Sequence, residues 1–580
     1  MTRGAETKQK TARRINGRVT FVMAFFALIA SSLVARAVYL QVLDKDFLNR
    51  QADTRHLRTE SITAHRGTIL DRNGEPLAIS TPVDSIWVNP KEFAGAVDRV
   101  PQLASALDVR PETLMRRITR SMGKEFVYLK RHLNPSAAAR VMALKLPGIN
   151  VQREYRRYYP ASEVTGHLVG FTNIDDQGQE GLELAMNYWL EGEPGAKRVL
   201  KDRLGRSIEN VESIRPPHHG KDLRTSIDLR LQYLAYRTLK AAVKTYNARS
   251  GSVVILNVKT GEVLAMVNQP TYNPNDRSQF VAERYRNRAI TDIFEPGSSI
   301  KPLVVAAALE SGQYRPSSVV DTAPGFLQVG AKKIKDTRNL GRISLTTILA
   351  RSSNVGMSKL GLTLQPDMMW ETMTGFGLGE MTSSGFPGES AGMLSHHSNW
   401  REISQATISY GYGVSVTALQ LAQAYAAIGN EGLMQPISLV AIDTASNGER
   451  VVSEDTAIAV RRMLEEVVRP GGTGVKASVN GYRVAGKTGT AWKSAPGGYS
   501  EDKYFSIFAG LAPASDPNLA AVVVIDEPSG ELYYGSDVAA PVFADIMAES
   551  LRLLAVPPDA MAARDPGSVM QAMADRKAGQ

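Results

Sequence analysis

Residues 294–302, Phe294-Glu295-Pro296-Gly297-Ser298-Ser299-Ile300-Lys301-Pro302, are the stretch from which the fold of this chain can be inferred. Ser298 precedes Lys301 by three residues at a predicted helix start, so its hydroxyl and the lysine amine share one helix face. An amine in that position can accept the proton of a nucleophilic serine without any histidine. Two later stretches, Ser352-Ser353-Asn354 and Lys487-Thr488-Gly489-Thr490, follow in a fixed order and extend the pattern.

Each short motif also occurs a second time, and its context separates the two copies. Ser121-Met122-Gly123-Lys124 carries a glycine that breaks the helix its spacing requires. Lys259-Thr260-Gly261 lies between the apolar runs 253–256 and 263–267, which predicts a turn joining two strands. Ser478-Val479-Asn480 repeats the second motif, but only the 298, 352 and 487 group has the order and separation found in a known family of serine enzymes.

A competing motif overlaps the third one. Residues 481–488, Gly-Tyr-Arg-Val-Ala-Gly-Lys-Thr, fit the phosphate-loop pattern G-x-x-x-x-G-K-[ST]. A phosphate loop opens directly into a helix whose N-terminus faces the phosphates. Residues 489–498 contain three glycines and a proline and cannot sustain that helix. Residues 484–490 are therefore predicted to form an edge strand lining a cleft, and a nucleotide-binding protein is the less favoured alternative.

The composition excludes several kinds of chemistry. The chain has 580 residues and no cysteine, so disulfides, thiol catalysis and cysteine-ligated metals are excluded. The eight histidines show no H-E-x-x-H spacing, and neither a metal site nor a cofactor is expected. The net charge of +10 is not accompanied by an aromatic-basic motif, so nucleic acid is not expected as a partner.

The N-terminus predicts a membrane anchor. Residues 1–18 form a basic tail, and residues 19–43 form an apolar run with no charge from Val19 to Ala35. Seventeen residues span roughly 26 Å as a helix, close to the thickness of a hydrocarbon core. Ala35-Arg36-Ala37 also fits a signal-peptidase site, but the apolar run is longer than in a cleaved leader, so an uncleaved anchor is favoured. The basic tail places residues 1–18 in the cytoplasm and the rest outside.

The rest of the chain divides into regions with different patterns of predicted strands and helices. Residues 44–220 mix short strand-like pieces with turns and are interpreted as a spacer or docking module. Residues 221–556 contain predicted helices at 229–246, around Ser298, at 418–428 and near 542–554, with closing strands at 505–512 and 520–525. Strands at both ends with helices between them predict an α+β domain with one sheet built from both termini. Residues 557–580 are predicted to be a flexible polar tail.

The motifs together resemble those of class B penicillin-binding proteins, and Phe294-Glu295-Pro296-Gly297 resembles the septal cell-division branch of that family. The similarity runs from the anchor to about Leu554. Further matching stretches are Arg66 to Gly74, Gln179 to Glu183, Ser226-Ile227-Asp228, Tyr534-Gly535 and Ala539 to Phe543. The resemblance implies an α/β/α-type transpeptidase domain, with an antiparallel sheet and segregated helices, behind one transmembrane helix and an elongated, mostly β pedestal of dimerisation-domain type. Trp492-Lys493 departs from the two basic residues of many relatives.

The resemblance also implies a reaction and residue roles. The substrate would be a peptidoglycan stem peptide ending in D-Ala-D-Ala, attacked by Ser298 with Lys301 as the general base. A helix N-terminus and nearby Lys487 would both favour a neutral Lys301. Ser352 would relay a proton to the leaving amine and Asn354 would bind the substrate amide. Substrate recognition would fall to Lys487, Thr488, Gly489, Thr490, Tyr410 and Tyr412, although core packing is an equal alternative for both tyrosines.

Other members of the same chemistry remain as alternatives. A class A β-lactamase would need a deacylating glutamate, and no E-x-x-L-N occurs between Asn354 and Lys487. A drug sensor would need a cytoplasmic effector larger than the 18-residue tail. A D,D-carboxypeptidase, an elongation-type enzyme or a paralogue is compatible with the motifs. The resemblance implies β-lactam antibiotics as ligands and a SEDS-class lipid-II polymerase and other division proteins as partners, at the division site of the inner membrane with the catalytic domain in the periplasm.

Overall fold

The structure is a computed structural model that describes residues 3–43, 57–201, 207–276, 278, 281–495 and 497–560. The chain divides into two compact units. The first unit comprises Met1–Ala64, Val83–Glu154 and Gly192–His219. The second unit comprises His65–Pro82, Tyr155–Glu191 and Gly220–Gln580. The two strands Pro76–Val88 and Ile149–Tyr158 contribute residues to both units.

The N-terminal helix has the length and composition of a membrane span. It runs over Arg3–Val38 and continues as a π-helical turn, Tyr39–Leu43. Its segment Arg18–Val42 has 25 residues, none of them buried against the rest of the chain. At 1.5 Å per residue this segment is about 37 Å long, enough to cross a hydrocarbon core with some tilt. The predicted apolar anchor therefore has its counterpart in one helix, consistent with single-pass attachment.

The rest of the first unit is built from strands and short helices. One antiparallel sheet contains Leu57–Ile62, Gly195–Lys201 and Ser207–Arg215. The end of strand Pro76–Val88 pairs with Val127–Leu133. Helices Pro90–Phe93, Val100–Leu107, Pro111–Thr119 and Pro135–Met142 enclose a small apolar core with the strands Pro76–Val88 and Val127–Leu133. Ser121 lies in a turn after the third of these helices, so the second Ser-x-x-Lys motif is not helical.

One five-stranded antiparallel sheet organises the second unit. Its strands in chain order are β1 (Ser250–Asn257), β2 (Val263–Gln269), β3 (Ala485–Ala495), β4 (Gly498–Ala512) and β5 (Leu519–Asp526). They are arranged in the order β2-β1-β5-β4-β3. The early strand β1 therefore pairs with the late strand β5, which confirms the prediction of one sheet built from both ends of the domain. Lys259-Thr260-Gly261 lies in the turn between β1 and β2, as predicted.

Helices cover both faces of this sheet. The principal ones are α1 (Leu229–Thr245), α2 (Lys301–Glu310), α3 (Leu345–Arg351), α4 (Asn354–Thr363), α5 (Ala418–Gly429), α6 (Glu454–Val468) and α7 (Ala539–Leu553). Strand residues alternate between two apolar cores, since successive side chains of a strand point to opposite faces. Val254 and Val522 belong to the core that includes α2 and α5, whereas Val253 and Val523 belong to the core that includes α1 and α7. The observed helices differ from the predicted ranges by a few residues at their ends.

Shorter elements complete the second unit. Its remaining α-helices among the described residues are Gly166–Val169, Gly181–Ala185, Asn187–Leu190, Arg288–Thr291, Pro366–Gly375 and Glu402–Ile408. Its remaining strands are Ile69–Leu70, Phe171–Thr172, Gly178–Glu180, Leu223–Arg224, Val319–Asp321, Phe326–Val329, Lys332–Lys335, Arg342–Ser344, Leu433–Met434 and Glu449–Arg450. Of the predicted tail 557–580, residues 561–580 lie outside the described residues.

A buried ionic cluster ties together three stretches of the second unit. The Glu183 carboxylate accepts hydrogen bonds from Arg66 Nε and Arg157 Nε, each at 2.6 Å, and all three side chains are almost fully buried. Arg66 also donates to the backbone oxygen of Glu183 at 2.7 Å. Buried charges are tolerated only when they are paired and hydrogen-bonded. The carboxylate therefore compensates two guanidinium groups that come from distant parts of the chain.

We expect Glu183→Ala to be strongly destabilising, because it leaves two buried guanidinium groups without their anion. Removing one partner of a buried ion pair costs about 3–5 kcal/mol. The drop in the thermal unfolding midpoint of the purified full-length chain measures this effect. Glu371→Ala removes an exposed carboxylate and is the matched control. Equal midpoints for the two variants would contradict the structural role of the cluster.

Candidate active site

Ser298 lies in a tight turn that leads into helix α2. The turn Gly297–Ile300 is a 3₁₀ helix, and α2 begins at Lys301 with Pro302 in its first turn. Proline is compatible there because the first amides of a helix have no intrahelical partner. Gly297 has φ +50°, and a Cβ at that position would lie 3.1 Å from the carbonyl oxygen of Thr490. The turn that carries Ser298 is therefore packed directly against β3.

Ser352, Ser353 and Asn354 occupy the junction between helices α3 and α4. Ser352 ends α3 in the left-handed conformation at φ +58°, an uncommon conformation for a residue with a side chain. Ser353 is the N-cap of α4, and its hydroxyl oxygen accepts the amide of Gly356 at 2.8 Å. Asn354 is the first residue of α4. The sharp change of direction between the helices places Ser352 and Asn354 side by side.

The third motif lies on the edge strand of the sheet. Lys487 and Thr488 are buried on β3, and Thr490 is half-buried. A Cβ at Gly489 would lie 2.8 Å from the carbonyl oxygen of Pro296, so only glycine permits this close approach. Strand β3 continues beyond the motif to Ala495 instead of opening into a helix. The phosphate-loop alternative for 481–488 is wrong, and the predicted edge strand is present.

The three motifs converge on the Lys301 amine. Lys301 Nζ donates to the backbone oxygen of Ser352 at 2.7 Å and to Asn354 Oδ1 at 2.8 Å, and lies 3.2 Å from Ser352 Oγ. From strand β3, Lys487 Nζ donates to the same Ser352 Oγ at 3.1 Å. Two lysines of distant sequence position thus share one serine hydroxyl. Both lysine side chains are completely buried.

Burial lowers the pKa of both amines, so each loses its proton more readily than it would in water. Burial, followed by the positive charge of Lys487, holds the pKa of Lys301 well below its ordinary value, while the Asp336 carboxylate opposes this shift. Burial lowers the pKa of Lys487 to about 7. A neutral amine has two N–H bonds and one lone pair, so donation to Ser352 O and Asn354 Oδ1 leaves the lone pair of Lys301 available to accept a proton. Lys301 therefore has the electrostatic environment that a general base requires.

The Ser298 hydroxyl is the exception within this cluster. Ser298 is half-buried, and its hydroxyl makes no hydrogen bond to any residue in the described parts of the chain. Its amide makes no backbone hydrogen bond within the same described parts. The structure thus brings Lys301, Ser352, Asn354 and Lys487 into one network, with Ser298 one helical turn from Lys301 and not bonded to it. Catalytic hydrogen bonds are often long or absent before substrate binds.

The predicted recognition residues take different positions. Tyr410 is 7% exposed and belongs to the apolar core, whereas Tyr412 is half-buried, with its ring centroid 5.6 Å from that of Tyr410. The Tyr412 hydroxyl accepts the amide of Trp492 at 3.3 Å, which ties it to β3. Burial raises the pKa of each tyrosine to about 12, so both stay neutral near pH 7. The structure therefore places Tyr412 nearer to the third motif than the core residue Tyr410.

The threonines of β3 are both anchored. Thr488 Oγ1 donates to Thr473 Oγ1 at 3.0 Å, and Thr490 Oγ1 accepts the amide of Gly535 at 2.9 Å. Thr473 was not identified from the sequence, because no spacing connects its Gly-Thr-Gly loop to the motif on β3. The Trp492 side chain is 46% exposed two residues beyond Thr490.

Asp336 is a second residue that the sequence did not indicate. Its Oδ1 accepts the amides of Asn354 and Val355 at 2.6 and 3.0 Å, and its Oδ2 accepts the Ser353 hydroxyl at 2.5 Å. A carboxylate at a helix N-terminus satisfies free amides and is stabilised by the helix dipole. Asp336 therefore holds the start of α4, and with it Asn354, while its charge acts on Lys301.

Two protein-family descriptions match this chain. Residues 251–548 match the family described as the penicillin-binding protein transpeptidase domain, and residues 61–225 match the penicillin-binding protein dimerisation domain. The first match includes all three motifs. The chain belongs to the penicillin-binding protein transpeptidase family. Its members share the serine, lysine and asparagine motifs that converge here.

Several curated proteins are similar to this penicillin-binding protein over nearly their whole length. The peptidoglycan D,D-transpeptidase FtsI of Escherichia coli K12 is 45% identical over 97% of this chain and 96% of its own. The probable peptidoglycan D,D-transpeptidase PbpC of Pseudomonas aeruginosa is 44% identical over 95% of this chain and 97% of its own. The probable peptidoglycan D,D-transpeptidase PenA of Neisseria meningitidis serogroup A is 41% identical over 95% of this chain and 95% of its own.

Solved structures agree with the fold. The transpeptidase domain of penicillin-binding protein 3 from Burkholderia pseudomallei is 42% identical and covers 58% of this chain and 97% of its own, with a TM-score of 0.54. A peptidoglycan synthetase from Bifidobacterium adolescentis covers 87% of this chain and 98% of its own, with a TM-score of 0.70 and 25% identity. The predicted combination of an α+β transpeptidase domain with an N-terminal helix and a dimerisation-type domain is confirmed.

We expect Asp336→Asn to move the acid limb of β-lactam acylation toward lower pH. The Asp336 carboxylate favours the protonated form of Lys301, so its removal lowers the pKa of Lys301 further and keeps the amine neutral in more acidic solution. The maximal rate falls by roughly tenfold, since the Ser353 hydroxyl loses a charged acceptor worth about 1.5 kcal/mol. Stopped-flow acylation of the full-length penicillin-binding protein between pH 4 and 9 measures both effects.

The control for this experiment is Asp455→Asn, which neutralises an exposed carboxylate in the first turn of α6. Its pH profile coincides with that of the unmodified chain. An acid limb that stays in place in Asp336→Asn would contradict the electrostatic action of Asp336 on Lys301.

Proposed function

We propose that this penicillin-binding protein is the septal peptidoglycan D,D-transpeptidase of its cell, with Ser298 as the nucleophile and Lys301 as its base. It cross-links stem peptides that end in D-Ala-D-Ala, and β-lactams acylate it at the same serine. The observation that carries this proposal is the buried Lys301 amine, bonded to Ser352 and Asn354 and one helical turn from Ser298. A proton acceptor in that position supplies the activation that a serine nucleophile needs.

Acylation follows from this geometry. Ser298 Oγ attacks the penultimate D-alanine carbonyl while Lys301 Nζ accepts the hydroxyl proton. The bond to the terminal D-alanine then breaks, and its nitrogen receives a proton through Ser352, whose Oγ lies 3.2 Å from Lys301 Nζ and 3.1 Å from Lys487 Nζ. An amine from a neighbouring stem peptide attacks the acyl-enzyme and completes the cross-link by the reverse proton path.

Substrate binding uses the edge strand and the start of α4. The amides of Ser298 and Thr490 stabilise the oxyanion, an interaction often worth about 3–4 kcal/mol. Lys487, with Thr488 and Thr490, binds the terminal carboxylate, and this anion favours the protonated form of a lysine whose pKa is about 7. Asn354 donates its side-chain amide to the substrate, because its Oδ1 already accepts Lys301. The open edge of β3 gives an extended peptide a backbone to pair with.

The membrane anchor and the first unit suggest where and with whom the enzyme works. We infer that the basic tail is cytoplasmic, that the second unit faces the periplasm and that the protein is enriched at the division site. A SEDS-class lipid-II polymerase and other division proteins are its proposed partners, because a cross-linking enzyme needs newly polymerised glycan. A D,D-carboxypeptidase would share the acylation step and differ only in using water as the acceptor.

Labelling by a fluorescent penicillin tests the nucleophile. We expect Ser298→Ala to abolish covalent labelling, because it removes the hydroxyl that attacks the β-lactam carbonyl, whereas the Ser352 hydroxyl, 3.2 Å from the Lys301 amine, only relays a proton. Ser121→Ala, which removes the serine of the second Ser-x-x-Lys motif, is the matched control and retains full labelling, since that serine lies in a turn outside the site. Labelling that persists in Ser298→Ala would disprove the assignment.

Depletion in the source bacterium tests the septal role. When the enzyme is depleted, cells elongate without dividing, because side-wall synthesis continues while septal cross-linking stops. Microscopy is expected to show filaments that are rescued by the unmodified chain and not by Ser298→Ala. Rounded cells would instead indicate the elongation-type alternative, and unchanged morphology would indicate a paralogue.

A further inference from the structure

Glu295 connects three segments that surround the nucleophile. Its Oε1 accepts the amide of Gly413 at 2.8 Å and the hydroxyl of Tyr499 at 3.0 Å. Its Oε2 is buried and has no hydrogen-bond partner in the described parts of the chain. Glu295 lies three residues before Ser298, yet neither the three motifs nor the proposed mechanism uses it. A buried carboxylate oxygen without a hydrogen bond lowers the stability of the fold, so its presence calls for a functional explanation.

The backbone around Glu295 is clamped on both sides of it. Phe294 exchanges two hydrogen bonds with Val416, at 3.0 and 2.9 Å. The Gly297 amide donates to the oxygen of Gly411 at 3.1 Å, and a Cβ at Gly411 would lie 2.0 Å from the oxygen of Gly297. The segment before Ser298 thus runs closely along residues 411–416. The bond from Glu295 to Gly413 fills the gap between these two clamps.

Tyr499 belongs to a different element, the start of β4. It pairs with Ser494 near the end of β3, beyond an irregularity in the pairing of the two strands after Trp492. Its ring lies edge-on to that of Tyr412, with 5.3 Å between centroids. The outer end of the β3–β4 hairpin therefore has two links to the rest of the site, through the Tyr499 hydroxyl to Glu295 and through the Tyr412 hydroxyl to Trp492.

The charges that face this carboxyl are few. Burial raises the pKa of Glu295, and its two hydrogen bonds and the more distant cation of Lys332 oppose the shift. Tyr410, Tyr412 and Tyr499 face the same carboxyl, and burial together with its negative charge raises the pKa of all three. The tyrosines therefore stay neutral from weakly acidic to neutral pH. Of these four side chains only Glu295 loses its charge as the pH falls, and because its pKa is raised it does so at a higher pH than an exposed glutamate.

We propose that Glu295 is a positioning residue that holds the outer end of the β3–β4 hairpin against the segment carrying Ser298. The carboxylate sets the distance between the Ser298 turn and the strand that carries Thr490. Both proposed oxyanion amides depend on this distance, because one belongs to each element. The inference rests on the proposed function, in which these two amides act together.

The proposal has a consequence for pH. An ionised carboxylate accepts stronger hydrogen bonds than a protonated one. When the pH falls through the raised pKa of Glu295, the carboxyl group becomes neutral and its hold on Tyr499 weakens. The unmodified enzyme therefore loses acylation rate as the pH falls through the pKa of Glu295, and this loss adds to the one caused by protonation of Lys301. In Glu295→Gln the side-chain oxygen still accepts both hydrogen bonds but no longer titrates.

The experiment measures the second-order rate of acylation by a fluorescent penicillin in full-length protein in detergent. The variants are Glu295→Ala, Glu295→Gln, Tyr499→Phe and the double variant Glu295→Ala/Tyr499→Phe. We expect Glu295→Ala to be at least tenfold slower, Glu295→Gln to be within about threefold at neutral pH, and Tyr499→Phe to be roughly threefold to fivefold slower. The double variant is expected to match Glu295→Ala, since Tyr499 acts through Glu295.

Controls separate this proposal from simple loss of folding and from failure of the proposed function. Glu402→Ala removes an exposed carboxylate and is expected to react normally. Thermal unfolding midpoints of all variants are measured beside the rates, and Ser298→Ala sets the zero of labelling. If Ser298→Ala still labels, the proposed function fails whatever Glu295 does.

Three results would each overturn the positioning role while Ser298→Ala remains unlabelled. The first is a rate for Glu295→Ala equal to that of Glu402→Ala. The second is a multiplicative effect of the two single substitutions in the double variant, which would mean that Tyr499 does not act through Glu295. The third is a pH profile of Glu295→Gln that coincides with that of the unmodified chain.

Discussion

Two buried lysines, one from helix α2 and one from strand β3, approach the same serine hydroxyl and impose the main constraint on this structure. Lys301 and Lys487 are both fully buried, and each lies about 3 Å from Ser352 Oγ. If both amines were protonated, the two buried ammonium groups beside this hydroxyl would repel one another strongly, because the protein interior screens charge poorly. The arrangement is stable because at least one of the amines is neutral. The repulsion that would destabilise an ordinary core thus favours a neutral amine on Lys301, the form that can accept a proton.

The scaffold keeps this arrangement in place from three directions. Helix α2 lies in an apolar core against the sheet, the α3–α4 junction is capped by Asp336, and β3 is held by its long pairing with β4. Each of these elements is held by contacts within the protein itself. The interactions of the site are therefore organised before binding, so little reorganisation is required during the reaction.

Close backbone contacts add a second kind of control. Gly297 and Gly489 let the nucleophile turn and the edge strand approach to distances that a side chain would prevent. Glu295, in the segment before Ser298, accepts side-chain hydrogen bonds from the Gly413 amide and from Tyr499 at the start of β4. The distance between the Ser298 turn and β3 thus depends on the missing side chains of Gly297 and Gly489 and on the carboxylate of Glu295. Tyr499, which is distant from Glu295 in the sequence, takes part in this positioning by donating its hydroxyl to Glu295.

The sequence by itself determined the chemistry, the order of the motifs, the apolar anchor and a sheet built from both ends of the domain. These properties depend on local spacing and on patterns of apolar residues, and both are visible in one dimension. Tertiary structure alone decided which polar groups meet: Asp336 caps Asn354, Thr473 supports Thr488 and Glu295 reaches Tyr499. It also placed Tyr410 in the core and Tyr412 beside β3, a choice that the sequence left open. Such contacts join residues up to 204 positions apart, and no periodicity encodes them, because they arise only when separately folded elements pack together.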